Sequence, residues 1–192
     1  LAVRSSSLLE DAQFQPFAGI YKTYMIPNNH PDPAKRLEQL ILAIKLVYAS
    51  TYCQNARAYV KSTFHRTEDE KMGVIIQKLT GYKYGDYFYP SISGVAQSYN
   101  YYSISYMKPE EGLAHVALGL GKIVMEGGAA LRFSPKYPQF LPQFSTVEDM
   151  LENSQRFFYA LNLTSDTEDL LLNEDATLAR LEVMDAVNDA PV

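Results

Sequence analysis

Leu37, Leu40, Ile41, Ile44, Val47 and Tyr48 recur at spacings of three and four, the pattern of one apolar face of an α-helix. Asp32 followed by Pro33 supplies the start. The carboxylate can accept from unpaired N–H groups of the first turn, and the fixed φ of proline suits the first helical position. The pattern predicts a helix from there to about residue 50, a break, and a second helical piece to about residue 60. The breaker Asn28-Asn29-His30-Pro31 separates it from a short strand over 1–7, a loop over 8–16 and an irregular strand over 17–26 that contains Gly19. Further on, Met72 to Leu79 is mostly apolar, with Val74, Ile75 and Ile76 consecutive, and predicts a strand buried on both faces. Residues 80–90 read as loop or hairpin, and 91–98 and 101–107 as strands. Residues 109–118 and 122–126 read as helical on either side of Gly119-Leu120-Gly121. Thr146 opens a short helix through a capping-box pattern that ends on Asp149. Residues 157–163 read as a strand, 164–175 as an acidic loop with room for a helical turn, and 178–187 fits either helix or strand. Helices and strands mix without regular alternation, which favours α+β over a doubly wound sheet.

Composition narrows the class. Hydrophobic residues make up 47% and charged residues 20%, enough for a packed core. Tyrosine is common, at 15 residues, and tryptophan is absent, which suits partly buried strands and pocket walls. The net charge of -5, with scattered Lys and Arg, argues against a nucleic-acid surface and leaves room for a local basic pocket. No apolar run approaches the roughly 18 residues that span a bilayer, and the start has no signal-peptide core. A single cysteine, Cys53, excludes an intrachain disulfide and reads as a small core residue within a helix. These features fit a cytoplasmic setting. The sequence starts without Met inside an apparent strand, so the expectation is a piece excised from a longer polypeptide. No His/Cys cluster has zinc spacing. The sequon Asn162-Leu163-Thr164 reads as chance, and Gly119-Leu120-Gly121 is too short for a dinucleotide fingerprint.

The chemistry concentrates near the start. In Val3-Arg4-Ser5-Ser6-Ser7, an arginine at the end of a strand can fork onto phosphate oxygens while the hydroxyls that follow add hydrogen bonds. Glu10-Asp11 follows, and then Phe17-Ala18-Gly19, Tyr21 and Thr23. This order resembles the nucleotide-binding domain of phosphoenolpyruvate synthase, pyruvate phosphate dikinase and rifampin phosphotransferase, whose signature reads VRSS, an acidic pair, then FAGQYDT. Ala43-Ile44-Lys45, Val47 and Ala49-Ser50 resemble that family's AIK-V-AS helix. Met72 to Leu79 resembles its hinge strand, Ser93-Gly94-Val95 its SGV strand, and Leu118 to Val124 with Gly127 its GLGE-VV-G turn. The resemblance covers residues 1 to about 135 and leaves 136–192 unassigned. Ile20, Lys22 and Lys122 stand where the family usually has Gln, Asp and Glu, and Ala96-Gln97-Ser98 replaces its F-[ST].

The resemblance implies a single domain over residues 1–192, part of an ATP-grasp-like nucleotide-binding lobe with a mixed or antiparallel sheet packed by helices. It implies ATP with Mg2+ as cofactors, with Arg4 catalytic and Arg4, Ser5, Gly19, Thr23 and Gln77 binding the nucleotide. Gly19 would let the backbone approach phosphate, Thr23 would offer a hydroxyl, and Gln77 would meet the adenine edge. The family's other ligands, a lysine before VRSS and a carboxylate pair and Q-T-R motif after this stretch, are not visible. Metal ligands are therefore expected elsewhere, and the isolated chain is expected to be inactive. His30, His65 and His115 lack the T-G-G-x-x-x-H context of a phosphorylated carrier, and Glu182 and Asp185 read as solvated carboxylates. The implied partners are ATP and the phosphohistidine and phosphoenolpyruvate/pyruvate domains of the same polypeptide, with a homodimer possible and no nucleic acid or membrane. The alternatives are a kinase for another acceptor, an antibiotic or a glucan, and a degenerate non-catalytic module.

Overall fold

The structure, a computed structural model, describes residues 1–8, 10, 19–62, 70–104 and 107–189. It divides into two compact units, one of residues 1–79 with 161–178, the other of 80–160 with 179–192.

The first unit is built on a three-stranded antiparallel sheet in the order β2-β1-β3, from β1 (Ala2–Ser7), β2 (Thr23–Met25) and β3 (Met72–Gln77). Helix α1 (Pro33–Ser50) is capped as its sequence predicts, with Asp32 Oδ1 accepting from the Ala34 N–H at 2.9 Å. After a short break α2 runs over Gln54–Ser62. Cys53 lies in that break, half-buried, and not within a helix. The core joins Val3, Tyr24 and Ile26 to Ala43 and Val47 of α1. Leu170, from a 3-10 turn over Thr167–Leu171, completes it. Residues 161–178 are further tied in by Asn29 Nδ2 donating to the Leu163 carbonyl at 2.7 Å and by the Thr177 hydroxyl donating to the Met25 carbonyl.

Two expectations change here. The buried face of α1 is Ala43, Val47 and Ser50, flanked by Leu40 and Ile44, whereas Leu37 (56%), Ile41 (41%) and Tyr48 (49%) are exposed. The helix turns its smaller residues Ala43, Val47 and Ser50 inward. Nor is β3 buried on both faces. As the last strand of its sheet it leaves Ile75 and Ile76 exposed.

The second unit contains the hairpin β4 (Tyr82–Tyr84) and β5 (Tyr87–Tyr89), β6 (Ser93–Gln97), β7 (Leu113–Ala117) and β8 (Leu131–Phe133). Strands β9 (Phe157–Asn162) and β10 (Leu178–Glu182) straddle the division between units. One sheet has the order β10-β9-β5-β4, and β6-β7-β8 form an antiparallel second. Tyr89, Phe158 and Ala160 form a core with Tyr84 and Tyr87, and Tyr84 stacks on Tyr89 at 4.4 Å between centroids. Here the tyrosines do line partly buried strands. Short helices follow: α3 (Lys122–Met125), α4 (Val147–Asn153) and α5 (Val183–Asp189). The capping box at α4 forms, with Thr146 and Asp149 each accepting from the other's N–H at 3.0 Å.

The helix read over 109–118 is not present. A 3-10 turn over Pro109–Glu111 stops at Gly112, whose φ of 74° leaves the helical region, and β7 follows as the middle strand of its sheet. Pairing with two neighbours overrides the weak helix preference of Leu113-Ala114-His115-Val116-Ala117. Of the strand read over 101–107, residues 101–104 are turn and coil, and 105–106 lie outside the described residues. The whole is α+β with antiparallel sheets and helices.

Candidate functional site

Side chains alternate along a strand, and β1 obeys this strictly at its polar end: Arg4 and Ser6 are exposed, while Val3, Ser5 and Ser7 are buried. The register then decides what Arg4 meets. Arg4 is opposite Thr23 on β2 and Ile75 on β3, Ala2 is opposite Met25 and Gln77, and Ser6 is opposite Gly73. Arg4, Thr23 and Gln77 therefore share one face of the sheet, with Ser6 and Ile75. Direct cross-strand partners put their Cβ atoms about 5 Å apart, and diagonal ones about 7–8 Å. The guanidinium has no hydrogen-bonded or ionic partner among the described residues. It is an unneutralised cation on a polar face, the condition in which it can clamp an anion.

Ser5 is not brought to that face. Its side chain points to the opposite side, 4% exposed, and Oγ donates to Glu10 Oε1 at 2.6 Å. The other Glu10 oxygen accepts from the Ser7 N–H at 2.8 Å. Glu10, a natural rival for Arg4, is thus engaged elsewhere, and Asp11 lies outside the described residues. The network continues: Ser7 Oγ accepts from the Glu10 N–H at 3.2 Å and donates to Glu70 Oε2 at 3.1 Å. Tyr21 donates its hydroxyl to that same Glu70 oxygen, while Glu70 Oε1 is buried without a partner among the described residues. Burial first, then the bond to Glu70 and that carboxylate's charge, push the Tyr21 hydroxyl far above the usual tyrosine range. The result is a latch across 49 residues of sequence that fixes the chain two positions after Gly19. Gly19 sits in an exposed turn with φ 75°, and a side chain there would have nothing within 4 Å among the described residues. Its backbone is open to approach. Phe17 and Ala18 lie outside the described residues.

The departures from the family pattern are absorbed locally. Ile20 packs against the cluster of Tyr21 and Ala56. Lys22 Nζ lies 3.0 Å from Glu174; burial opposes its charge, but the carboxylate outweighs it and holds the lysine pKa above the usual value. Lys122 pairs with Glu126 at 2.7 Å and stands over the Tyr159 ring, 5.6 Å from the centroid. Neither lysine adds an unneutralised charge.

The remaining candidates make local contacts where the structure describes them. His30 Nδ1 accepts from the Asp32 N–H at 3.0 Å, and His65 lies outside the described residues. His115 is on β7, not in or beside a helix, and its pKa is held down by burial and then by the charge of Arg132. Asp185 Oδ2 accepts from the Glu182 N–H at 3.2 Å. Asn162 Oδ1 accepts from both the N–H and the hydroxyl of Thr164, so the sequon is a local turn. Among the described residues no three His, Cys, Asp or Glu side chains gather as metal ligands, and no helix is long and apolar enough to cross a membrane. Sequence reasoning missed Ser6 as the neighbour of Arg4, which strand alternation alone would have supplied. It also missed the Tyr21–Glu70 pairing, which has no local signal.

No curated protein and no solved structure matches the chain. The family described as pyruvate phosphate dikinase, AMP/ATP-binding domain, matches over residues 1–184, well past residue 135 where the motifs end. With nearly its whole length matched, the chain belongs to the pyruvate phosphate dikinase AMP/ATP-binding domain family.

Proposed function

We propose that this chain is the ATP-binding part of a dikinase-like phosphotransferase, an ATP-grasp-like lobe that passes a phosphoryl group to a carrier histidine in another domain, and from there to an acceptor such as pyruvate. The observation that carries the reading is the Arg4 guanidinium, exposed and without a partner among the described residues, on a sheet face beside Thr23, in a chain of this family. ATP supplies the phosphoryl group, with magnesium held by ligands contributed from elsewhere. Arg4 presents a planar fork to phosphate oxygens and stabilises charge that develops on them. Thr23 donates its hydroxyl, and the Gly19 backbone lies against the phosphates. Gln77 turns its amide and backbone to the adenine edge. Ser6 takes the place that the motif suggests for Ser5, which serves from beneath by ordering Glu10. The setting this implies is the cytoplasm, where ATP is plentiful and Cys53 stays reduced. Pairing of Lys22 and Lys122 with carboxylates favours this reading over a degenerate module, since neither substitution brings a new free charge.

The test is Arg4→Lys in the full-length protein. A phosphate clamp loses its bidentate geometry, so turnover falls by about two to three orders of magnitude with folding unchanged. Turnover equal to wild type would remove Arg4 from the site and with it this reading.

A further inference from the structure

A cavity of about 250 Å³ opens in the second unit, on the side of the β6-β7-β8 sheet that carries Leu113, Arg132 and the residue after β8, Ser134. Its walls are mainly apolar: Ile104, Met107, Leu113 and Phe140. Most of the polar groups in it are already committed. Gln143 accepts from the Arg132 N–H at 2.8 Å and donates to the Ala130 carbonyl at 3.1 Å, and Asn100 Oδ1 accepts from the Tyr102 N–H at 3.1 Å. Two groups are not. Ser134 is 2% exposed, lines the cavity, and its Oγ is buried with no hydrogen-bond partner among the described residues. Buried hydroxyls are almost always satisfied, so an orphan at a cavity wall asks for a group from outside. Arg132 lines the same cavity, is exposed, and has no carboxylate partner among the described residues.

An apolar chamber with one orphan hydroxyl and one unpaired guanidinium recognises an amphipathic monoanion. We propose that this cavity is a second binding site, for a small carboxylic acid with a one-ring or branched apolar body. The carboxylate forks onto Arg132, the body fills the space between Leu113, Phe140 and Met107, and Ser134 bonds an oxygen of the ligand. The volume suits such a body: a dry cavity of about 150 Å³ already admits benzene. Every wall residue belongs to the second unit, whereas Arg4, Thr23 and Gln77 belong to the first.

Phenylacetate is the probe, with phenylacetamide as its neutral counterpart and acetate as the headgroup alone, followed by saturation-transfer NMR and calorimetry on the whole chain. Phenylacetate binds and gives transfer to its ring protons, the amide binds about tenfold more weakly, and acetate gives no signal. Arg132→Gln, an exposed change that keeps the fold, removes the preference for acid over amide. Ser134→Ala weakens phenylacetate several-fold, and Arg4→Lys leaves it unchanged, which separates this result from any failure of the nucleotide reading. Absence of binding by phenylacetate would overturn the proposal. So would equal affinity for acid and amide, or a preference that survives Arg132→Gln.

Discussion

Arg4 and Thr23 stand directly opposite each other across β1 and β2, on the face of the sheet that α1 does not cover. The relationship joins two motifs separated by 19 positions into one surface, with Glu10 held underneath and away from the cation. It also predicts how Thr23 behaves. Thr23→Val keeps the β-branched shape and removes only the hydroxyl. Stability should change by less than about 0.5 kcal/mol, while affinity for magnesium-ATP in the full-length protein falls about tenfold or more, as for a lost bond to a charged group. Calorimetric titration reads the affinity, and an unchanged value would take Thr23 out of the site.

The exposed and buried sides of α1 separate in a second measurement. Val47 is fully buried and Leu37 is 56% exposed. Val47→Ala should destabilise by about 2 kcal/mol, and Leu37→Ala by no more than about 0.5 kcal/mol. Ile44→Ala, half-buried at the edge of the face, should fall between. Urea midpoints at constant m-value report the order, and an equal loss at Leu37 would place it against the core.

Tyr21 makes the first unit sensitive to alkali. The folded state holds its hydroxyl protonated above the usual value, by burial and then by Glu70. A group whose pKa is raised on folding stabilises fully below its unfolded value, about 10 for tyrosine, and loses that contribution as pH rises beyond it. Tyr21→Phe should cost about 1–2 kcal/mol at pH 7. The gap between wild type and variant should then shrink from about pH 10 upward. Denaturation curves between neutral and alkaline pH test this; a constant gap would mean that the hydroxyl is not held by Glu70.

Gly119 tolerates no side chain. Its φ is 82°, and a Cβ would lie 2.7 Å from both the Tyr159 carbonyl oxygen and the Phe158 ring. Strain and crowding together should make Gly119→Ala destabilising by about 2–4 kcal/mol. Thermal melts give the value, and a loss under about 0.5 kcal/mol would show that the turn relaxes freely.

What the sequence made legible is local. The Asp32 and Thr146 caps announce α1 and α4 because each cap needs only residues within one turn. The motif around Arg4 carries the family. What stayed hidden depends on distant partners. Leu113-Ala114-His115-Val116-Ala117 becomes a strand only because β6 and β8 flank it. The inward turn of α1 rests on Ala43 and Ser50, which an apolar count does not see. Ser5 rather than Ser6 was the residue expected beside Arg4, and strand alternation puts them on opposite faces. The Tyr21–Glu70 bond joins residues that no pattern links.

Residues 161–178 complete the first unit: Leu170 enters its core, Glu174 neutralises Lys22, and Thr177 bonds to Met25. On the ribosome, β1, β2 and α1 emerge long before that segment. At roughly 5–20 residues per second, several seconds pass while the intervening stretch is made. Throughout that interval the side of Val3, Tyr24 and Ile26 that Leu170 closes has no native cover. Completion of this unit's core therefore waits on translation of its distant closing segment.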